Sequence, residues 1–384
     1  MVIPFESLVE PISAIHATPT MVVIGFAGAG AQALAWLHGV GGSSRTLLEA
    51  TDHYAAASLI EAIGFEPEQF TGPDVARALA TQTYIRACHL ADAAAVPAGI
   101  ACTATIATDR IKRGDHRACV AVCTAESVTI YELTLAKGRR TRREEEHLVS
   151  LLILKAVAGV CDVAHLPELE LFTEETLVKQ VERCGLLERL LAGDFNWVAV
   201  SPQGRMTPGR SWPNIALLSG AFNPLHAGHR QMARIAAELL QQDVYFELPL
   251  INAGKDPLEP AIAKQRLVQF ADKTTVILTC APLFSQKADM FPRSVFVIGV
   301  DTAERLVQPR FYNDDPAEML ASFETIRRAG CRFLVAGRLD NGRFMTLDDV
   351  DLPAGYRELF TEIPEEQFRL DISSTDIRER QPET

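Results

Sequence analysis

His226 and His229 stand three apart in the run Ser219-Gly-Ala-Phe-Asn-Pro-Leu-His-Ala-Gly-His229. Two imidazoles at that spacing lie on one side of a turn, where both can donate to phosphate oxygens. Gly220 and Gly228 leave room for a ligand to approach the backbone, and Pro224 stiffens the turn between them. Alone, the pair also fits a helix-capping histidine beside a surface one. A second run, Ile372-Ser-Ser-Thr-Asp-Ile-Arg378, argues for more. Ser373, Ser374 and Thr375 are hydroxyl residues at a helix start, which presents free N–H groups and a positive dipole end. Arg378, one turn on, adds a guanidinium fork for phosphate. Moving a nucleotidyl group from a triphosphate to a phosphate acceptor needs such donors, because the protein must neutralise growing charge and hold two anions in line.

These residues need a scaffold that delivers loops to one edge. From Ile215 onward, short apolar runs recur at Ile215–Ser219, Val244–Leu250, Thr275–Cys280, Val295–Val300 and Arg332–Ala336. Between them lie helical or loop segments, such as Arg230–Leu240 with its apolar face at helical spacing. Strands alternating with helices predict a doubly wound, Rossmann-like parallel sheet with ligands at the carboxyl ends of its strands. An earlier α/β block spans 21–164, with an apolar run at Met21–Phe26 and helices at Ala31–Leu37 and Gly72–Ala94. Paired strands follow in Ala118–Leu135, then a capping box at Thr141-Arg-Arg-Glu144 that opens a helix to about Gly159. The expected division is two α/β domains, 1–165 and 213–384. A connecting module over 166–212 would hold a helix at Leu177–Leu191 and a hairpin around Ser201-Pro-Gln-Gly204.

Together the two runs resemble the nucleotidyltransferase α/β-phosphodiesterase superfamily, whose members carry GxFxPxHxGH on the first loop and ISSTxIR near the end. The resemblance implies that Ser219, Gly220, Ala221, Phe222 and Asn223 bind the nucleotide, with Ser373, Ser374 and Thr375 positioning it. It gives His226, His229 and Arg378 to the transition state. Phe222-Asn223-Pro224 is similar to the nicotinamide or nicotinate mononucleotide adenylyltransferase branch, since cytidylyltransferases more often carry Asp at the Asn position. Gly299-Val-Asp301 resembles the family's GxD, which implies that Asp301 meets the nucleotide sugar. Lys255 in Asn252-Ala-Gly-Lys-Asp-Pro257 occupies the place of a phosphate-contacting lysine. Mg²⁺ would arrive with ATP and bridge its phosphates. One departure concerns the acceptor. Relatives that bind pyridine nucleotides commonly stack the ring on an aromatic residue, often Trp, beyond the GxD strand. Here Trp36, Trp197 and Trp212 all precede it, leaving Phe284, Phe291, Phe311 or Tyr312 as substitutes. The stretch Phe296–Leu306 also resembles cytidylyltransferase-like proteins.

The first block admits two readings. Gly28-Ala-Gly-Ala-Gln-Ala33 fits the dinucleotide-binding pattern GxGxxA, with Glu49 at a suitable distance. The block also resembles the CinA C-terminal domain, a nicotinamide-mononucleotide deamidase family, through its glycine turn, Gly42-Ser-Ser44, Tyr54, Gly64, Val75-Ala-Arg-Ala78 and Gly99-Ile-Ala101. Active members carry a nucleophilic serine in the turn, and a tyrosine followed five residues later by lysine. Here Ala27 and Leu59 stand at those places, and neither side chain can act as nucleophile or base. A non-catalytic amidase fold is expected. Two basic clusters remain, one at Arg110, Lys112, Arg113, His116 and Arg117, the other at Lys137, Arg139, Arg140, Arg142 and Arg143. The second opposes a helix dipole, so it is either a solvated face or the seat of a bound anion.

A net charge of −12 argues against general nucleic-acid binding. The eight cysteines form no paired CxxC, so no protein-bound metal is expected. Met1–Glu6 lacks a basic, apolar leader, and Leu148–Ala164 is interrupted by Lys155 and Asp162, too short to span a bilayer. The expectation is a cytoplasmic homo-oligomer that transfers AMP from ATP to a small phosphorylated acceptor, with no nucleic acid or membrane partner. Alternatives are a CTP-dependent enzyme with another acceptor, a nucleotide sensor without turnover, and an amidohydrolase of the first domain.

Overall fold

A computed structural model describes residues 3–92, 94–109, 114–251, 257–340 and 343–369. Two compact units divide at Gly185 and Leu186. In the first, the chain runs α1 (Glu6–Ile15), β1 (Thr20–Ala27), α2 (Ala31–Gly39), β2 (Leu47–Asp52), α3 (Ala56–Ile63), α4 (Pro73–Leu90), β3 (Val96–Thr105), β4 (His116–Cys123), β5 (Ser127–Leu135), α5 (Arg142–Val160) and β6 (Thr176–Arg183). The sheet order is β2-β1-β3-β4-β5-β6; β2, β1 and β3 are parallel, and the rest pair antiparallel. Alternation sends Val22, Ile24, Ile100 and Val120 into a core shared with α1, α2 and α5. The opposite face meets α4 so closely that a Cβ on Gly99 would lie 2.2 Å from the Tyr84 backbone nitrogen. Thr141 and Glu144 form the expected capping box of α5.

The second unit continues with α6 (Leu186–Leu191), β7 (Trp197–Val200), β8 (Met206–Gly209), β9 (Ala216–Ser219), α7 (Ala227–Leu240), β10 (Val244–Pro249), α8 (Pro260–Leu267), β11 (Val276–Thr279), α9 (Phe284–Met290), β12 (Val295–Gly299), α10 (Val300–Leu306), α11 (Pro316–Arg328), β13 (Arg332–Ala336), β14 (Arg338–Asp340), β15 (Arg343–Met345) and β16 (Phe360–Ile363). Its main sheet has the order β16-β13-β12-β9-β10-β11-β7-β8. Strands β9 to β13 and β16 are parallel, and the β7–β8 hairpin adds antiparallel to β11. The chain winds outward from β9 through β11, then returns to β12 beside β9. The strand order therefore reverses at β9, and a crevice opens there at the carboxyl ends of the strands. This is the doubly wound α/β fold that the spacing of apolar runs predicts.

Two expectations change. The helix expected over Leu177–Leu191 is a strand, β6, followed by the short α6. Pairing with β5 decides this: Val181 lies opposite Thr129 and Leu177 opposite Leu133, so tertiary hydrogen bonding makes 176–183 a strand, while the leucine-rich 186–191 keeps its helix. The expected connecting module over 166–212 is consequently shared between the units. Its first strand completes one sheet, and its helix and hairpin belong to the other. Among the described residues no helix is long and apolar enough to cross a membrane.

Candidate active site

Ser219 ends β9, and the chain turns at Gly220, whose N–H donates to the Glu247 carbonyl at 3.0 Å. A Cβ on Gly220 would lie 2.8 Å from the ring of Phe222, so glycine is required first by the loop's own fold. Phe222 adopts a left-handed φ of 43° with its ring 1% exposed. Edge contacts to Phe246, Phe270 and His229, at 5.1–5.5 Å between centroids, hold that ring in place. Gln269 staples the loop from outside: its Oε1 accepts from Leu225 N at 2.7 Å and its Nε2 donates to Phe222 O at 3.0 Å. Arg266 donates to Ala221 O at 3.0 Å. Neither residue stands out in the sequence, because both act by reach across 44 or more positions.

The loop delivers His226 as the N-cap of α7. Its Nδ1 accepts from Gly228 N at 3.2 Å, while His229 Nδ1 accepts from His226 N at 3.3 Å. The rings stack with centroids 3.7 Å apart. Burial lowers the pKa of both, and pushes His229 down to about 4 with His226 beside it adding repulsion. Both imidazoles are therefore neutral near pH 7. Because each Nδ1 accepts, each proton sits on Nε2, leaving two Nε2–H donors at the amino end of a 14-residue helix. That end is also positive by its dipole. The arrangement suits an anion.

A cleft of about 890 Å³, including solvent at its mouth, opens beside Ser219, Gly220 and Ala221. Its charged lining residues are Lys287 and Arg305, both cations, in a chain of net charge −12. Among the four aromatic candidates, Phe291 is fully buried and Phe284 packs against Phe296 and Phe333. Tyr312 is also buried, its hydroxyl donating to Leu306 O at 3.1 Å. Phe311 is half-buried and lines the cleft. Asp301, in the first turn of α10, is engaged by an ion pair with Arg338. Lys255, Ser373, Ser374, Thr375 and Arg378 lie outside the described residues.

The sequence reading passed over Glu247 and Lys287. Glu247 is fully buried at the carboxyl end of β10, where its Oε1 accepts from Thr279 Oγ1 at 2.5 Å. Its Oε2 accepts from Lys287 Nζ at 2.7 Å, and that ammonium stands 3.5 Å from Ser219 Oγ. A carboxylate inside the apolar run Val244-Tyr-Phe-Glu-Leu-Pro-Leu250 was the available signal, since a buried charge demands a partner.

In the first unit, the glycine turn is filled by the protein itself. Glu146 accepts from Gly30 N at 3.0 Å and Gln32 N at 3.3 Å, the donors a pyrophosphate would need. Glu49 is bound by Arg86 at 2.8 Å. The dinucleotide reading loses both of its anchors. Tyr54 is 71% exposed and Leu59 is buried, and neither forms a catalytic pair. Of the two readings of the cluster at Arg139 and Arg140, an anion is present, and it is internal too. Arg140 pairs with buried Glu175, Arg139 lies 3.4 Å from Glu174, and both guanidinium groups sit over Phe172 at 4.5 and 4.2 Å. Burial would raise the Glu175 carboxyl, but N–H groups of Phe172 and Ala136 together with Arg140 hold it below its ordinary value. Arg110, Lys112 and Arg113 lie outside the described residues.

Residues 217–380 match the family model described as cytidylyltransferase-like. Within the second unit, the matched residues 217–380 form a cytidylyltransferase-like domain. Its nucleotidyltransferase-type fold places the histidine loop between the carboxyl end of β9 and the amino end of α7. The N-terminal region is similar in solved structures to the competence/damage-inducible protein CihA of Agrobacterium tumefaciens, at 16% identity and a TM-score of 0.32 over 40% of this chain and 93% of that one. A competence or damage-inducible protein of Enterobacter asburiae matches at 10% identity and a TM-score of 0.32, over 41% and 95%. A CinA superfamily protein of Enterobacter cloacae matches at 10% and 0.34, over 42% and 94%. No curated protein matches the chain.

Proposed function

We propose that the cytidylyltransferase-like domain transfers the AMP group of ATP to a phosphate-bearing mononucleotide, nicotinamide or nicotinate mononucleotide. The observation that carries this reading is the pair of neutral histidines at the head of α7, two Nε2–H donors on a loop whose first residues, Ser219 to Ala221, line a cleft with cationic charged lining. A phosphate oxygen of the acceptor attacks the α-phosphorus of ATP with its own lone pair. A new P–O bond forms, and the bond from the α-phosphorus to the bridging oxygen breaks, its electrons leaving with pyrophosphate. The acceptor phosphate is already an anion, so no general base is needed. His226 and His229 stabilise the charge that grows on the phosphate oxygens, which is worth most where water is excluded. By the family resemblance, Arg378 and Lys255 hold phosphates, while Ser373, Ser374, Thr375 and Asp301 position the nucleotide.

Mg²⁺, which neutralises phosphate charge when bound, fits as part of the ATP rather than of the protein. Phosphates and water would supply its ligands. Phe311 is the aromatic residue that supports stacking of an acceptor base, in place of the expected Trp.

The test is pyrophosphate release by the purified chain, with ATP or CTP against nicotinamide and nicotinate mononucleotides and other phosphorylated acceptors. Release is expected with ATP and a pyridine mononucleotide, and His226→Ala or His229→Ala should each lower kcat about 100-fold. Triphosphate binding without release for any pair would instead identify a sensor. Release with CTP alone would move the chain to the cytidylyl branch.

A further inference from the structure

Lys287 is a buried ammonium at the floor of the cleft, and the transfer reaction as described leaves it without a role. Among the described residues its hydrogen-bond partners are Glu247 Oε2 at 2.7 Å and Ser219 Oγ at 3.5 Å. Glu247 is in turn held by Thr279, and the Phe284 ring lies 4.7 Å from the ammonium. An ammonium has three N–H groups. Glu247 takes one, Ser219 accepts another at the limit of hydrogen-bond distance, and the third has no acceptor among the described residues. A pair this deeply buried is a poor source of stability, because desolvation of both ions offsets their attraction. It is well placed for another purpose, since it stands beside the first residue of the histidine loop and lines the cleft.

We propose that Lys287 binds the acceptor's phosphate and sets it in line with the α-phosphorus. This rests on the transfer reading above. The ammonium donates to one non-attacking phosphate oxygen, leaving a second oxygen free to attack; Lys287 neither gains nor loses a proton. Ser219 Oγ marks where that phosphate lies relative to the histidine loop. Glu247 is the positioning residue: its carboxylate fixes the ammonium beside Ser219. The acceptors selected are phosphomonoesters, whose compact dianion suits a point charge on a short tether. Arg305, exposed at the same cleft and without a side-chain partner among the described residues, is the cation left for a further negative group on the acceptor.

Replacing Lys287 alone would strand a buried carboxylate, so the informative variant is Lys287→Gln with Glu247→Gln, which removes both charges. Acceptor KM should rise about 10–100-fold, the usual worth of a hydrogen bond to a charged group. The KM for ATP and the melting temperature should stay near wild type. An unchanged acceptor KM, or an equal rise in both KM values, would overturn the proposal and leave the pair a structural one. Glu247→Gln alone keeps the ammonium but frees its position, so the acceptor KM should rise while the KM for ATP stays at the wild-type value; an unchanged acceptor KM counts against the role given to Glu247. Should the wild type release no pyrophosphate with any acceptor, the transfer reading fails while Lys287 is still tested by titrating the full-length protein with inorganic phosphate. Binding that the double variant loses supports an anion site at Lys287. Equal binding, or none by the wild type, excludes it.

Discussion

The two histidines that carry the site are tuned by position rather than by a charged partner. His229 packs edge-on against Phe222, and burial takes its pKa to about 4, so between pH 6 and 8 it is an unprotonated donor through Nε2. His226 is lowered by the same cause. The pH dependence of kcat/KM reports groups of the free enzyme. It should therefore show no histidine titration between pH 7 and 8, and His226→Ala should lower the profile there without changing its shape. An inflection near 6.5 that disappears in either alanine variant would mean the imidazoles act as acids or bases. Gly220 carries a related lesson. Sequence logic keeps it free of a side chain for the ligand's sake, whereas the folded loop has already used that space for Phe222.

At the scale of elements, α4 is held to β3 by the absence of a side chain. The Cβ of alanine at position 99 would sit 2.2 Å from Tyr84 N and 2.4 Å from Ala80 O, atoms of a helix backbone that cannot rotate away. Gly99→Ala is expected to destabilise the first unit by about 1–3 kcal/mol, as overpacking does. Chemical denaturation followed by far-ultraviolet circular dichroism would measure it. The amino end of α2 is a second device of this kind. Glu146 on α5 satisfies its donors and ties two helices together through one carboxylate. Glu146→Ala should cost about 1–2 kcal/mol and expose Gly30 N and Gln32 N to solvent, with pyrophosphate release by the second unit unaffected.

Across the molecule, buried neutral histidines set the acid limit. His16 and His147 in the first unit, and His226 and His229 in the second, all have pKa values lowered by burial. Below about pH 6.5 the unfolded chain binds protons that the folded chain refuses, so stability rises with pH through that window and is complete above it. For His229, the drop from 6.5 to about 4 corresponds to roughly 3 kcal/mol, present at pH 7 and lost as pH falls toward 4. The melting temperature should be level from pH 7 upward and decline steadily from 6.5 to 4. A chain equally stable at pH 5 and pH 7 would show that these imidazoles reach water when folded.

Apolar spacing from Ile215 to Ala336 was enough to predict five of the six parallel strands among the described residues of the second unit, β9 to β13 but not β16, because a strand buried on both faces must be apolar along its length. The residue types of the histidine run likewise singled out the end of β9 as a candidate phosphate site, since glycine, proline and paired imidazoles act locally. Local pattern could not assign Thr176–Arg183, which is a strand because β5 offers it hydrogen bonds. Nor could it show that the anions expected at Gly30 and Arg140 are the protein's own Glu146 and Glu175. Lys287 and Glu247 lie 40 positions apart and meet only when β10 and α9 pack. Charges separated so far along the chain have no signature until the fold removes them from water. That is why the sequence could point to a candidate phosphate site at the histidine loop, while the Lys287–Glu247 pair proposed for the acceptor had to come from the tertiary structure.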